Sequence, residues 1–144
     1  MRDVEQEILP FCQEKAIGVI PYSVLQSGLL SGRMNRDRIH NLPEDDWRKT
    51  RSPDFQEPRL SECLALVEVF RRIGISHQVT PAAIAIAWVL RRPEITGAIL
   101  GARHPGQVDD LLKAAQVHLN AAEIEDIRPF LPKGKGTNVP TAAS

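Results

Sequence analysis

The sequence predicts an α/β protein with a parallel sheet, and three observations carry that prediction. Helical and short apolar segments alternate along the chain. Two of the short segments, Ile17 to Ile20 and Ile95 to Leu100, are apolar on both faces, as strands covered by helices are. Each then runs into small, polar and glycine residues, Pro21-Tyr22-Ser23-Val24-Leu25-Gln26-Ser27-Gly28-Leu29 after the first and Gly101-Ala102-Arg103-His104-Pro105-Gly106-Gln107 after the second. Ligands of parallel α/β sheets sit beyond the carboxyl ends of the strands, so both loops are expected to face one anionic ligand.

Taken in order, Val4, Ile8, Phe11 and Cys12 fall on one face of a helix over Arg2 to Lys15, with Pro10 as a point of kinking or shortening. The first strand follows. From Ser31 to Pro58 the chain turns polar and carries Pro43, Pro53 and Pro58. So long a connection without structure of its own reads as a lid-like loop, pinned to the body by Trp47 and Phe55. Leu60, Leu64, Val67, Phe70 and Ile73 mark a helix over Arg59 to Ile73, which Gly74 should stop. Thr80-Pro81 supplies an N-cap and a first-turn proline for a helix that is apolar on nearly every side, Ala82 to Leu90, with Trp88 in the core.

Pro93 ends that helix and the second strand follows. His104-Pro105 opens a helix to about Ala115 with Val108, Leu111 and Leu112 as its apolar face. Asn120-Ala121-Ala122-Glu123 has capping-box character for a last helix holding Ile124, Ile127 and Leu131. From Pro132 on, Gly, Pro, Thr, Ser and Lys predict a disordered tail. The expected organisation is one domain over residues 1–131, with 31–58 as its lid, and a tail over 132–144.

Composition narrows the partners. Lys plus Arg and Asp plus Glu are 18 each in 144 residues, so no global field favours nucleic acid or a membrane surface. No long uncharged apolar run and no signal-peptide pattern is present, and Cys12 and Cys63 read as reduced, buried thiols, which together point to a cytoplasmic protein. His40, His77, His104 and His118 lack metal-ligand spacing. Asp45-Asp46 and Asp109-Asp110 read as solvated charges. Two strands are fewer than the about five or six of a typical sheet. Their open edges imply that further sequence or a partner chain completes the sheet.

The stretches Gly18-Val19-Ile20-Pro21-Tyr22-Ser23-Val24-Leu25, Ser27-Gly28-Leu29-Leu30-Ser31-Gly32, Asp46-Trp47-Arg48, Thr80-Pro81-Ala82-Ala83-Ile84-Ala85-Ile86-Ala87-Trp88-Val89-Leu90 and Gly101 to Gln107 resemble, in that order, the C-terminal half of an aldo/keto reductase. The resemblance runs from about Val4 to Phe130. It implies a partial (β/α)₈ TIM barrel, the last two βα units with flanking helices, that binds NADP(H). The complete enzymes reduce carbonyls, so a carbonyl substrate is implied only for a complete barrel.

By the same resemblance, Tyr22 stacks on the nicotinamide ring, a reading preferred to the alternative of a tyrosine that merely caps the strand end. Ser23, Leu25, Ser27, Gly28 and Leu29 form the pyrophosphate loop, and small residues there let backbone N–H groups approach phosphate oxygens. Arg103 meets the 2′-phosphate, flanked by Gly101 and Ala102 and by a helix N-terminus, while Gln107 and Asp110 touch the adenosine. Val24 departs from a common proline and Leu111 from a common asparagine. The catalytic Asp, Tyr, Lys and His of the family belong to its first half, and nothing here matches those motifs. The alternative is a non-catalytic half-barrel module that self-associates or pairs with another chain.

Overall fold

The computed structural model describes residues 3–131, so the expected tail over 132–144 lies outside the described residues. Two helices crossing at 92° form the centre: α4, Arg59–His77, and α5, Pro81–Leu90. In chain order they follow α1 (Ile8–Glu14), α2 (Arg36–His40) and α3 (Trp47–Thr50), and precede α6 (Pro105–Leu112) and α7 (Ala121–Ile127). Leu66, Val69, Phe70 and Ile73 of α4 pack on Ile84, Ala85 and Trp88 of α5, with Ile127 of α7 closing the cluster.

Local chemistry sets the central corner. The Thr80 side chain accepts a hydrogen bond from the Ala83 N–H, and Pro81 takes the first turn, where its missing N–H leaves no partner wanting. Gly74 does not stop α4, contrary to expectation. The helix runs a further turn and ends on Gln78 in the left-handed region (φ 56°). Gly74 serves close approach instead: a Cβ there would lie 2.6 Å from the carbonyl oxygen of Val79, whose N–H bonds back to Gly74 at 2.9 Å. At the far end the Asn120–Glu123 capping box forms as read. Glu123 also meets His77 at 2.8 Å, tying α7 to α4.

The two expected strands are the main correction. Among the described residues regular pairing is confined to one parallel bridge, Val19 with Ile95. The segments do run side by side: Val19 N–H donates to Glu94 (2.9 Å), Thr96 N–H to Val19 (3.0 Å) and Ile99 N–H to Pro21 (2.8 Å). Gly18 permits this, since a Cβ would sit 2.7 Å from the Thr96 side chain. However, Ile17, Ile20 and Ile99 are exposed rather than covered. A parallel pair gains little from two members, and no third strand flanks it among the described residues.

Other departures are local. The N-terminal helix shortens to α1 behind a 3₁₀ turn at Asp3–Glu5, because Pro10 fits only its first turn. Leu9 and Cys12 are its buried residues, while Val4, Ile8 and Phe11 stay exposed. The segment 31–58 is not structureless. It holds α2, α3 and a 3₁₀ turn at Pro53–Phe55. Phe55 pins it as expected, buried with Leu29, Ile39, Leu60 and Cys63, and this burial pushes the Cys63 thiol up. Trp47 pins nothing and is exposed. The helix α6 gives way to a 3₁₀ turn at Lys113–Gln116, and Val108 and Leu112 remain exposed. No single helix among the described residues is long and apolar enough to cross a membrane.

Candidate functional site

The parallel pair delivers both glycine-rich loops to the same end of the molecule, where they line one open cleft of about 790 Å³. That volume lies within the range of small-molecule and cofactor sites. The first wall is the loop after the Val19 segment. Tyr22 projects from it, 78% exposed. Ser23, Gln26, Ser27 and Gly28 all have positive φ, so the backbone folds back on itself. Ser31 Oγ donates to Gly28 O at 2.6 Å and the Leu30 N–H to Leu25 O at 3.1 Å, which holds the turn. Tyr22, Ser23, Leu25, Ser27 and Gly28 line the cleft. Leu29 does not: it is fully buried in the cluster under the loop, so its side chain anchors the turn from below. An apolar side chain inside a polar loop was signal enough for that role.

The second wall is the loop after Ile99. Gly101, Ala102 and Arg103 line the cleft and are exposed. Gln107 Oε1 accepts from the backbone N–H groups of Arg103 (2.6 Å) and His104 (3.2 Å). The carboxamide oxygen is thus spent on shaping the loop, and only its NH₂ remains for a ligand. Asp110 also lines the cleft, with Lys113 Nζ at 3.5 Å. The Arg103 guanidinium has no ion pair among the described residues.

Sequence reasoning missed a third wall, built by the segment after Gly32. Arg33, Met34 and Arg38 line it, and so do Asp46, Trp47 and Arg48. Asp46 is not a solvated charge. It grips Arg48 in a two-pronged pair (Nε to Oδ1 2.9 Å, Nη2 to Oδ2 2.5 Å) and caps α3 through the Arg48 N–H at 2.9 Å. The two side chains are 15% and 13% exposed, while Trp47 between them is 53% exposed. The usual order of burial is inverted, and the fork holds the indole out over the cleft.

Those hydrogen bonds from Arg48, side chain first and then backbone, bring the Asp46 carboxyl down from 3.8 to about 2. Arg103, across the cleft, contributes a smaller part of that lowering. A carboxyl whose folded pKa is depressed contributes its stabilisation above the unfolded value and loses it as pH falls through the folded one. The fork therefore stands intact above about pH 4 and fades between about 4 and 2. A carboxyl NMR titration of Asp46 is expected to show a midpoint near pH 2, and a midpoint near 4 would mean the fork does not form in solution.

The model of the aldo/keto reductase family matches residues 1–131. The chain is 33% identical over 133 residues to the probable aldo-keto reductase 1 of Glycine max, covering 92% of this chain and 37% of that protein. It is 30% identical over 131 residues to the aldo-keto reductase YhdN of Bacillus subtilis (strain 168), covering 90% and 39%. It is 28% identical over 122 residues to an NADH-specific methylglyoxal reductase of Escherichia coli (strain K12), covering 85% and 36%. A structure of the glycerol dehydrogenase AKR11B4 from Gluconobacter oxydans superposes with a TM-score of 0.78 at 32% identity, over 90% of this chain and 38% of that one. The chain thus spans less than two-fifths of the length of the relatives it matches. With both glycine loops brought to one cleft and the family match running through all of the described residues, the chain belongs to the aldo/keto reductase family.

Proposed function

We propose that this chain is the NADP(H)-binding C-terminal portion of an aldo/keto reductase, equivalent to the last two βα units of a (β/α)₈ barrel with their flanking helices. The observation that carries the reading is that Tyr22 and Arg103, from loops far apart in sequence, line the same cleft. The residues present fit the cofactor. An exposed phenol ring offers a flat face to a nicotinamide. The turn from Ser23 to Gly28 presents backbone around its left-handed residues, the geometry that favours phosphate oxygens. Arg103, flanked by Gly101 and Ala102, offers a guanidinium to a 2′-phosphate, and Asp110 and the Gln107 amide lie beyond it for the adenosine.

When bound, NADPH supplies a hydride to an aldehyde or ketone in the complete barrel. This chain binds and orients. Tyr22 is its one tyrosine and already serves as a platform, so no general acid is assigned to it. The chain alone is accordingly read as inactive. A second reading, a half-barrel that self-associates or pairs with another chain, is favoured by the exposed Ile17, Ile20 and Ile99 beside the parallel bridge.

Titration of NADPH fluorescence with the chain tests the first reading. Saturable binding, tighter for NADPH than for NADH and without aldehyde reduction above a heat-killed control, is expected. Failure to saturate would overturn it. Light scattering on the same sample tests the second reading: a strictly monomeric species removes it.

A further inference from the structure

Most arginines among the described residues sit against a carboxylate: Arg36 on Glu57, Arg59 on Asp54 and Glu62, Arg72 on Asp126, Arg92 on Glu94. Arg33, Arg38, Arg51 and Arg103 do not, and all of these but Arg51 line the cleft. In a chain whose charges balance, positive charge is thus concentrated in one concave place, where field lines focus. The carboxylates lining that cleft are Asp46 and Asp110. Asp110 is answered locally by Lys113. Asp46 is the negative group set among the cations, in the fork with Arg48 and facing Arg103 from the opposite wall.

We infer that Asp46 is a built-in counter-anion: it occupies the positive field of the cleft in the empty state and lowers the affinity for phosphorylated ligands that must share that field. This rests on the reading of the cleft as a phosphate-binding site and assigns to that site a specificity-determining residue. The physical reason is competition. A carboxylate held among guanidiniums neutralises part of their potential, so an arriving phosphate gains less from Arg48 and Arg103 than it would if Asp46 were neutral. Ligands of high negative charge, such as a nucleotide with a 2′-phosphate and a 5′-phosphate, still gain enough to bind. Singly charged ones gain least. Asp46 thereby lowers affinity most for the most highly charged ligands and narrows the discrimination by charge that the cations alone would give.

The substitution that tests this is unusually clean. Asp46 is also the N-cap of α3, and asparagine caps helices as well as aspartate does. Asp46→Asn therefore removes the charge and keeps a side-chain oxygen to accept from the Arg48 N–H. The probe is 2′,5′-ADP, titrated calorimetrically against the 144-residue chain. Asp46→Asn is expected to bind it about tenfold more tightly than the wild type at low salt, the gap closing as salt is raised and screening shortens to about 3 Å at 1 M. Arg48→Ala frees the carboxylate from its partner and is expected to bind more weakly than the wild type, with Asp46→Asn restoring affinity in the double variant.

Weaker or unchanged binding in Asp46→Asn overturns the counter-anion role and leaves the cofactor reading standing, because the wild type still binds. Absence of 2′,5′-ADP binding in both chains overturns the cofactor reading and this inference together. Circular dichroism on each variant shows whether a loss reflects unfolding. Tighter binding, the result that supports the role, cannot arise from an unfolded chain.

Discussion

Replacing Arg103 by alanine is expected to weaken NADPH binding about thirtyfold, the equivalent of about 2 kcal/mol for a lost charge-assisted hydrogen bond, and to change NADH binding by less than about twofold. The asymmetry follows from the position of the side chain. Its guanidinium projects from an exposed loop and has no carboxylate partner to leave stranded, so truncation creates no buried orphan charge. The loop itself is shaped by Gln107 Oε1 accepting the Arg103 and His104 backbone N–H groups, which alanine retains. The lost free energy is therefore confined to whatever the guanidinium touches. In the proposed pose that is the 2′-phosphate, which NADH lacks. Equal losses for the two nucleotides would move Arg103 off that phosphate, and no loss for either would take it out of the site. Fluorescence titration of both nucleotides at one fixed salt concentration makes the comparison, since screening alters phosphate contacts strongly.

The parts of this fold that could be read from sequence are those decided by neighbouring residues. Thr80-Pro81 starts α5 because a hydroxyl and a proline suit the first turn wherever that turn sits. Asn120 and Glu123 satisfy each other's orphan N–H groups with no help from the rest of the chain. Ala82 to Trp88 is buried because it offers no polar side to water. What could not be read depends on partners remote in sequence. Gly74 looks like a helix stop, yet what decides it is the Val79 carbonyl that packs against it. Ile17 to Ile20 and Ile95 to Leu100 have strand composition, but a strand needs neighbours, and among the described residues each segment has only the other.

The cleft divides the same way. Its two glycine loops were legible as strand-end loops, and the loop residues to which the family resemblance gave a ligand contact line the cleft, except Leu29. The third wall was not legible. Asp46 is half-buried and Trp47 exposed beside a fork to a residue two positions on, an arrangement with no periodic signature. Nothing in the composition of 31–58 distinguishes a loop that packs through Phe55 from one that also lends a cleft its charge.

Phe70→Ala is expected to remove about 4 kcal/mol of folding free energy, near the middle of the range for truncating a buried aromatic. Phe70 is 2% exposed in the cluster where α4 crosses α5, and that cluster is built of hydrophobic residues. A void of that kind stays dry, and the surrounding Leu66, Ile84 and Ile127 lose their contacts outright. Domains of this size have only about 5–15 kcal/mol in total, so the variant should unfold at a much lower urea concentration with an unchanged slope. Ile75→Ala on the same helix is the control: that side chain is exposed, and its loss should stay within about 0.5 kcal/mol. A small effect at Phe70 would mean that the helical corner is not what holds the chain together.

The two large predictions meet in one measurement. Leu25 and Leu30 of the first cleft wall pack against the Phe70 cluster, so the wall stands on it. The cleft residues themselves are untouched by Phe70→Ala. Saturating NADPH, which stabilises a binding-competent fold by about 2.7 kcal/mol at a hundred times Kd, should then raise the stability of Phe70→Ala as much as that of the wild type, and should raise that of Arg103→Ala far less at the same concentration. Were NADPH to rescue Arg103→Ala and not Phe70→Ala, the binding energy would have to come from the helical corner rather than from the cleft, and the division of labour between the two would be reversed.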